Sequence, residues 1–335
     1  MIEPILKVEN LKEWFPVKRT IGEILSGKRI WVKAVDGITF SVNQGEIFGL
    51  VGESGCGKTT TGKLLMKLLE PTDGKIIFKG KDVTRLETNK LKEYRRNVQM
   101  VFQDPYASMN PRFRAQDVLE EPLIIHQVGE TRAEREKIVR CSLEEVRLIP
   151  PEEFMGRFPH MLSGGQRQRV ATARTLVLSP SMIIADEPVS MIDLSTRAEI
   201  LHMMKIVQRE LGLTYLYITH DLSTARYFTD RIAVMYLGKI VEMAGADEII
   251  DEAAHPYTRA LIAAVCEPVP GKSNTIKEIP IKGEIPSASN IPPGCRFHPR
   301  CLYTKPKCME EEPVLTEIEP GHMVACHYPL IKYTD

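Results

Sequence analysis

Short apolar runs alternate with longer amphipathic or charged stretches along the first 220 residues of the chain. The runs that predict β-strands lie at 5–8, 38–42, 47–51, 76–78, 182–185 and 215–219. The stretches that predict helices lie at about 58–69, 132–148 and 195–211. Strands that alternate with helices in this way predict an α/β fold with a mostly parallel sheet.

Two segments depart from this alternation and define the predicted domain organisation. Residues from about 104 to 162 are rich in charge and in helix-forming residues, and they predict an inserted helical subdomain. After about residue 255 prolines become frequent enough to break any long helix. We therefore expect one large domain over residues 1–254 and a small, irregular C-terminal domain over residues 255–335.

A glycine-rich turn directly follows the apolar run at 47–51 and precedes the first predicted helix. Its residues are Gly52-Glu-Ser-Gly-Cys-Gly-Lys58-Thr59, which match G-x-x-x-x-G-K-[ST]. In such a loop the backbone N–H groups and the helix N-terminus bind phosphate oxygens. We expect Lys58 on the β- and γ-phosphates and the Thr59 hydroxyl on Mg²⁺. The predicted nucleotide-binding residues here are Gly52, Ser54, Gly55, Cys56, Gly57, Lys58, Thr59 and Thr60.

The apolar run at 182–185 ends in two adjacent carboxylates, Asp186 and Glu187. Taken alone this pattern is weak, because many strands end in solvated acids. In a chain that also has a phosphate-binding loop the pattern is a strong indication of a magnesium site, since Asp186 can hold Mg²⁺ through water. Glu187 is then placed to polarise the attacking water as a general base.

A further motif, Leu162-Ser163-Gly164-Gly165-Gln166, precedes that carboxylate pair. A serine and two glycines that open a helix form an anion site of hydroxyl and N–H donors. With this motif the chain resembles the ABC ATPases, whose signature is LSGGQ. The resemblance implies their fold, a P-loop core with an antiparallel β subdomain and a helical subdomain. It also implies that Ser163 to Gln166 bind the γ-phosphate held by a second subunit.

The same resemblance implies roles for four single residues. Gln103 matches the Q-loop glutamine, which contacts Mg²⁺ and the attacking water. His220 matches the switch histidine near the γ-phosphate. Asp193, in Ser190-Met-Ile-Asp193, matches the D-loop, although Met191 and Ile192 replace its usual Ala and Leu. Phe15 aligns with the aromatic residue that stacks on adenine, and the adjacent Trp14 is the alternative.

More selective segments resemble the oligopeptide/dipeptide importer ATPases. These segments are Phe102-Gln-Asp-Pro-Tyr-Ala-Ser-Met-Asn-Pro-Arg112, His255-Pro-Tyr-Thr258, Gly283-Glu-Ile-Pro286 and Pro293-Gly-Cys-Arg-Phe-His-Pro-Arg-Cys301. The resemblance implies an ATPase that energises peptide import, and it favours the F-type over the D-type subunit. Importers of oligosaccharides or nickel in the same class are the alternative.

The resemblance also implies partners and a location. We expect a D-type ATPase subunit in a head-to-tail pair, two transmembrane permeases and, indirectly, an extracytoplasmic solute-binding protein. No window reaches the roughly 18 uninterrupted apolar residues that would span a bilayer. We therefore expect a peripheral protein on the cytoplasmic face of the membrane.

Two rival functions follow from the same motifs. One is a non-transport ABC ATPase that works on DNA or ribosomes, and the other is a regulatory module that binds ATP without hydrolysing it. Proteins of the first kind typically carry two fused cassettes or a long coiled-coil insertion, whereas this sequence has one phosphate-loop lysine, one signature and no sustained heptad run. The balance of 44 basic and 44 acidic residues also argues against a nucleic-acid coat protein. Glu187 and His220 argue against a module that cannot hydrolyse ATP.

Four of the seven cysteines lie in the C-terminal region, at Cys295, Cys301, Cys308 and Cys326. Reduced, partly buried thiols are one interpretation. A structural zinc is another, although the short C-x2–4-C spacings usual for zinc are absent; His298, His322 and His327 lie nearby in sequence. A [4Fe–4S] cluster tolerates wider spacing, and the resemblance to the oligopeptide/dipeptide class favours it. The predicted cofactors are thus ATP, Mg²⁺ and a [4Fe–4S] cluster, with zinc as its competitor.

Overall fold

The computed structural model describes residues 3–17, 30–264 and 281–330. These residues cluster into two compact units. The first is built from residues within Met1–Pro4, Val42–Ile47 and Arg85–Ile218, and the second from residues within Ile5–Ser41, Phe48–Thr84 and Thr219–Asp335. In the described parts of the chain, no helix is long and apolar enough to cross a membrane.

The strands are β1 (Pro4–Pro16), β2 (Trp31–Asn43), β3 (Ile47–Val51), β4 (Asp73–Phe78), β5 (Lys81–Asp82), β6 (Val98–Val101), β7 (Met182–Asp186), β8 (Thr214–Thr219), β9 (Arg231–Tyr236), β10 (Lys239–Gly245), β11 (Thr316–Glu319) and β12 (His322–Val324). The helices are α1 (Lys58–Leu65), α2 (Thr88–Asn97), α3 (Ala115–His126), α4 (Arg132–Glu145), α5 (Pro151–Met155), α6 (Gly164–Leu176), α7 (Leu194–Leu211), α8 (Leu222–Phe228), α9 (Ala246–Asp251), α10 (Pro256–Ala264) and α11 (Pro306–Glu310). Short 3₁₀ turns occupy Pro159–Met161 and His298–Arg300.

The first unit contains a parallel ladder in which β7 lies between β6 and β8. Every residue of β7 and β8 is buried. Parallel strands covered on both faces are continuously apolar, which explains why their runs were visible in the sequence. The pairing of Ala185 with Val101 and of Asp186 with Ile218 brings the carboxyl ends of the three strands to one edge.

The helical subdomain predicted within residues 104–162 is present as α3, α4 and α5. Helix α4 begins at a capping box, in which the Thr131 side chain accepts from the Glu134 N–H and the Glu134 carboxylate accepts from the Thr131 N–H. The helix was predicted to reach residue 148 but ends at Glu145. Arg147 has φ of 61°, a left-handed conformation that cannot continue a helix.

The second unit contains an antiparallel sheet in the order β2-β1-β4-β5 and a second group of strands in the order β11-β12-β10-β9-β3. In that group β3 and β9 are parallel, whereas β9 and β10 are antiparallel. The α/β fold with an antiparallel part is therefore confirmed. Strands β1 and β2 each have 13 residues and extend well past the predicted apolar runs, because many of their positions are only half buried and polar.

The C-terminal region was predicted as a separate domain, but residues 281–330 belong to the same compact unit as the glycine-rich turn. Strand β12 pairs with β10, with Glu242 opposite Val324 and Met243 opposite Met323. The Ala325 N–H also donates to the Val241 carbonyl at 2.8 Å. Main-chain pairing of this kind leaves no trace in a proline-rich composition, so the sequence alone suggested an appendage.

A buried ion pair fastens β12 to β10. The Nε2 atom of His322 lies 2.8 Å from the Glu242 carboxylate, which also accepts from the Ala254 and His255 N–H groups. The hydrogen bond to Glu242 raises the pKa of His322, and Glu248 and Glu319 act in the same direction. The pair therefore stabilises the fold when His322 is protonated.

We predict that this stabilisation depends on pH. A raised folded-state pKa contributes fully below the ordinary histidine pKa of about 6.5, and the contribution is lost as pH rises through the folded-state value. At pH 6 the wild type should melt about 3 °C above His322→Gln, which keeps a donor but no titratable charge. Melting curves recorded upward from pH 6 should show this gap narrowing. A gap that stays constant with pH would contradict the ion-pair assignment.

Candidate nucleotide-binding and hydrolysis site

The glycine-rich turn connects the end of β3 at Val51 to the start of α1 at Lys58. Gly57 precedes the helix with φ of 109°, a conformation that side chains disfavour. A Cβ atom at this position would also collide with the Ala34 carbonyl oxygen. The turn is thus so close to β2 that only glycine fits, which explains the last glycine of the motif.

Lys58 is buried, with 5% of its surface exposed, and its side chain folds back over the turn. Its Nζ atom donates to the carbonyl oxygens of Gly52 at 2.7 Å and Glu53 at 3.0 Å. The Cys56 thiol lies 3.7 Å from the same atom. Burial raises the pKa of Cys56, and the neighbouring ammonium opposes this rise in part. An ammonium has three N–H donors, and two of them are used by these carbonyl oxygens. A buried ammonium beside a helix N-terminus is suited to bind phosphate.

The predicted hydrolytic residues of the first unit meet at the ends of β6 and β7. The Gln103 amide donates to the Glu187 carboxylate at 3.0 Å. Asp186 ends β7 and is buried. Glu187 has φ of 46°, and its N–H donates to the Ile218 carbonyl at 2.8 Å. The left-handed conformation therefore falls on the second of the two carboxylates, directly after β7 ends.

The signature motif forms the N-terminus of α6. Ser163 is the N-cap: its hydroxyl accepts from the Gln166 N–H at 3.2 Å, and the Gln166 side chain accepts from the Ser163 N–H at 3.0 Å. A Cβ atom on Gly164 would have no neighbour within 4 Å. At Gly165 it would lie 2.6 Å from the Thr196 methyl group. One glycine therefore keeps a surface open, and the other allows close packing.

Asp193 is the N-cap of α7 and holds its own loop together. Its carboxylate accepts from the Thr196 hydroxyl at 2.6 Å and from the Ser195 hydroxyl at 2.8 Å. These hydrogen bonds lower the pKa of Asp193. Because Thr196 also contacts Gly165, the predicted D-loop and the signature are adjacent within the first unit.

The second unit holds the remaining predicted site residues. His220 directly follows β8 and is exposed, and Asp221 caps α8 by accepting from the Ser223 N–H at 2.9 Å. Trp14 donates its indole N–H to Asp36 at 2.9 Å, and the Lys33 ammonium lies 4.5 Å from the centre of its ring. These contacts occupy the Trp14 side chain, and the adjacent Phe15 is half-buried.

The four C-terminal thiols line one small cavity, together with His255, His298 and His327. Three of these cysteines accept an N–H bond from the residue two positions ahead: Cys295 from Phe297, Cys301 from Tyr303 and Cys326 from Tyr328. Burial raises the pKa of Cys295 to about 11 and that of Cys326 to about 12. His322 is paired with Glu242 instead of facing the cavity.

Four thiols around one cavity, three of them accepting N–H bonds, match the chemistry of thiolate-bound iron or zinc. Among the residues that the structure describes, however, no three His, Cys, Asp or Glu side chains are arranged as a complete metal-binding group. The thiols are thus gathered in one place without forming a coordination shell.

Comparison with known proteins connects these features. Residues 35–190 match the family model of ABC transporters, and residues 241–308 match that of the oligopeptide/dipeptide transporter C-terminal region. The chain is 47% identical to the oligopeptide transport ATP-binding protein AppF of Bacillus subtilis, over 97% of each chain. It is 42% identical to the dipeptide transport ATP-binding protein DppF of Haemophilus influenzae, over 97% of each chain.

This protein belongs to the oligopeptide/dipeptide class of ABC transporter ATPases. Solved structures agree with that conclusion. The dimeric ATP-binding cassette MJ0796 bound to ADP and Pi is 29% identical, with a TM-score of 0.63, over 72% of this chain and 98% of its own. The cassette cbiO1 of Clostridium perfringens is 28% identical, with a TM-score of 0.62, over 73% and 90%. As a member of this class the protein hydrolyses ATP.

Sequence reasoning gave no role to Glu53 in the glycine-rich turn, or to Tyr257 and Arg300, which contact it. Glu53 is a variable position of the motif, and it contacts Tyr257 and Arg300. The segments His255–Thr258 and Pro293–Cys301 were noted for their resemblance to this class, but no local pattern indicates which residues they touch. Their sequence separation from Glu53 exceeds 200 residues, so only the fold reveals the contact.

The two signature glycines should respond differently to a methyl group. Gly165→Ala should lower the melting temperature, because the added Cβ meets Thr196 and overpacking costs about 1–3 kcal/mol. Gly164→Ala is its matched control and should melt at or slightly above the wild-type temperature, since alanine favours a helix. Equal melting temperatures for the two variants would contradict this packing.

Proposed function

We propose that this protein is the ATP-hydrolysing subunit that energises import of peptides. The main support is that relatives named as oligopeptide and dipeptide transport ATP-binding proteins match this chain over nearly its whole length. The match includes the C-terminal region that has its own oligopeptide/dipeptide family model. We infer peptide as the cargo ahead of an oligosaccharide or nickel, and the F-type subunit ahead of the D-type.

In this proposal each predicted site residue has one role in binding or hydrolysis. Lys58 and the turn N–H groups bind the phosphates, and Phe15 stacks on adenine. Glu187 accepts the proton of the attacking water, which Gln103 orients through its contact with the Glu187 carboxylate. His220 completes the catalytic set at the end of β8. Residues Thr59, Gln103 and Asp186 are the groups that would hold Mg²⁺, which neutralises phosphate charge when bound.

A second ATPase subunit completes the site in this proposal. The open face at Gly164 leaves room beside the Ser163 hydroxyl and the first N–H groups of α6, which suits a phosphate presented from outside the chain. A related cassette has been solved as a dimer. We infer a head-to-tail pair with a D-type subunit, in which Asp193 lies at the interface.

The membrane partners are inferred from the helical subdomain. In and next to this subdomain several large apolar residues are exposed: Phe102, Tyr106, Phe113, Ile124 and Ile125. The Tyr106 ring is held by the Arg167 guanidinium, whose central carbon lies 3.5 Å from the ring centre. Exposed large apolar side chains of this kind suit a docking surface where they form one patch. We infer that two permeases dock here, that the protein works at the cytoplasmic membrane face, and that the solute-binding protein acts only indirectly.

The general-base assignment can be tested by two substitutions, one of which should impair hydrolysis and the other nucleotide binding. Glu187→Gln should bind MgATP but hydrolyse it about 10²–10⁴-fold more slowly, because an amide cannot accept the proton. Lys58→Ala should lose affinity for MgATP itself. Nucleotide binding and phosphate release should be measured for each variant together with the partner subunits.

Glu210→Gln is a matched control for this experiment. Glu210 is an exposed carboxylate of the same unit, paired with Arg147 at 3.5 Å, and has no role in the proposed site. Its loss should leave both readouts near the wild-type values. If Glu187→Gln retained hydrolysis within a few-fold of wild type, Glu187 would not be the base.

We also propose that Cys295, Cys301, Cys308 and Cys326 hold a [4Fe–4S] cluster that fastens the C-terminal region. What supports it is the gathering of four thiols around one cavity with N–H donors directed at three of them. Burial raises the pKa of Cys295 and of Cys326, so these thiols must release protons when they bind the cluster as thiolates. The role is structural, because ATP hydrolysis transfers no electron.

Metal content distinguishes the interpretations of this cavity. Protein prepared without oxygen should be brown and contain about four irons per chain. Cys301→Ser should lose iron and colour, whereas Cys141→Ser, which removes an exposed thiol on α4, should retain both. Colourless anaerobic protein with one zinc per chain would assign the site to zinc, and metal-free protein would leave four reduced thiols.

A further inference from the structure

Arg300, from the C-terminal region, forms a two-pronged ion pair with Glu53 in the phosphate-binding turn. Its two terminal nitrogens lie 2.7 Å and 3.0 Å from the two carboxylate oxygens. The Arg300 side chain is only 7% exposed and that of Glu53 is 25% exposed. Two parallel hydrogen bonds between a guanidinium and a carboxylate make a strong and directional interaction. An ion pair with little exposure to solvent is also screened less than a pair on the surface.

Every polar group of Glu53 is engaged. Its carboxylate accepts from Arg300, its carbonyl accepts from Lys58 at 3.0 Å, and its N–H donates to the Tyr257 hydroxyl at 2.9 Å. Both Arg300 and Tyr257 lie beyond residue 254, outside the segment that carries the ATPase motifs. The first turn of the phosphate-binding loop is thus held from the C-terminal region.

The position of Arg300 is itself tightly determined. It ends the 3₁₀ turn His298–Arg300, where its N–H donates to the Phe297 carbonyl at 2.9 Å. Its guanidinium lies 5.8 Å from the ring centre of Tyr236 and 5.9 Å from that of Phe297. These two rings are buried and meet edge to face at 5.3 Å. A rigid aromatic platform therefore presents the cation to the turn.

We infer that Arg300 is a positioning residue for nucleotide binding. It neutralises the Glu53 carboxylate, which would otherwise repel the triphosphate, and it keeps the turn in the shape that aims N–H groups at phosphate. A half-buried carboxylate without a partner would weaken an anion site directly. The inference rests on the proposed role of the turn in nucleotide binding.

The test measures the dissociation constant for MgATP of the full-length protein and four variants. Arg300→Gln should bind MgATP about tenfold more weakly, as expected for removal of one partner in a coupled network. Arg300→Lys keeps the charge but loses the fork, so it should lie between wild type and Arg300→Gln. Adding Glu53→Gln to Arg300→Gln should restore most of the affinity, because the unpaired carboxylate is then gone. A purely structural role would show no such recovery.

His322→Gln is the control for general loosening of the C-terminal region. It removes another buried ion pair, with Glu242, which has no contact with the turn. It should lower the melting temperature and leave MgATP affinity unchanged. Wild-type protein that bound no MgATP would refute the assignment of the turn. With wild-type binding intact, three results would each overturn the role of Arg300: wild-type affinity in Arg300→Gln, equal weakening in His322→Gln, or no recovery in the double variant.

Discussion

A loop that binds phosphate through its backbone N–H groups cannot use those groups to stabilise itself. The turn between β3 and α1 meets this constraint with support from outside the loop. Gly57 lies against the Ala34 carbonyl without a side chain, and Tyr257 and Arg300 engage Glu53. Lys58 meanwhile rests on two carbonyl oxygens of the loop. The surrounding elements thus carry the stability that the loop gives up for ligand binding.

The signature motif solves the same problem in a different way. Ser163 and Gln166 satisfy each other's N–H groups in a capping box, so the helix start is stable without a ligand. Gly164 has no side chain that could block an approaching anion, whereas Gly165 packs closely against Thr196. Both proposed anion sites contain glycines, but the turn depends on contacts with distant residues, whereas the signature is stabilised by its own capping box.

The C-terminal region is integrated with the ATPase through main-chain pairing and buried charges. Strand β12 extends the sheet next to β10, and the His322–Glu242 pair lies behind that junction. Arg296 and Arg300, on either side of Phe297, pair with Asp36 and Glu53. Two arginines from one short segment therefore reach the β2 strand and the phosphate-binding turn. Cys295 directly precedes Arg296, and Cys301 directly follows Arg300. The backbone conformation at these two thiols therefore also determines where the two arginines lie.

The sequence by itself determined the features whose chemistry is local. The glycine-rich turn, the signature cap and the carboxylate pair at the end of β7 are each contiguous in sequence, and short-range rules of strand, turn and helix predict their local conformations. The buried parallel strands β3, β7 and β8 were visible because strands covered on both faces must be apolar.

Only the tertiary structure decided what pairs across long distances. The half-polar length of β1 and β2, the junction of β12 with β10, and the Glu53–Arg300 pair have no local signature. Arg300 and Glu53 are 247 positions apart, and their contact depends on the packing of two aromatic rings between distant segments. Local sequence patterns reflect the secondary-structure propensity and the burial of each segment. Which distant residues contact each other is determined by how the whole chain packs.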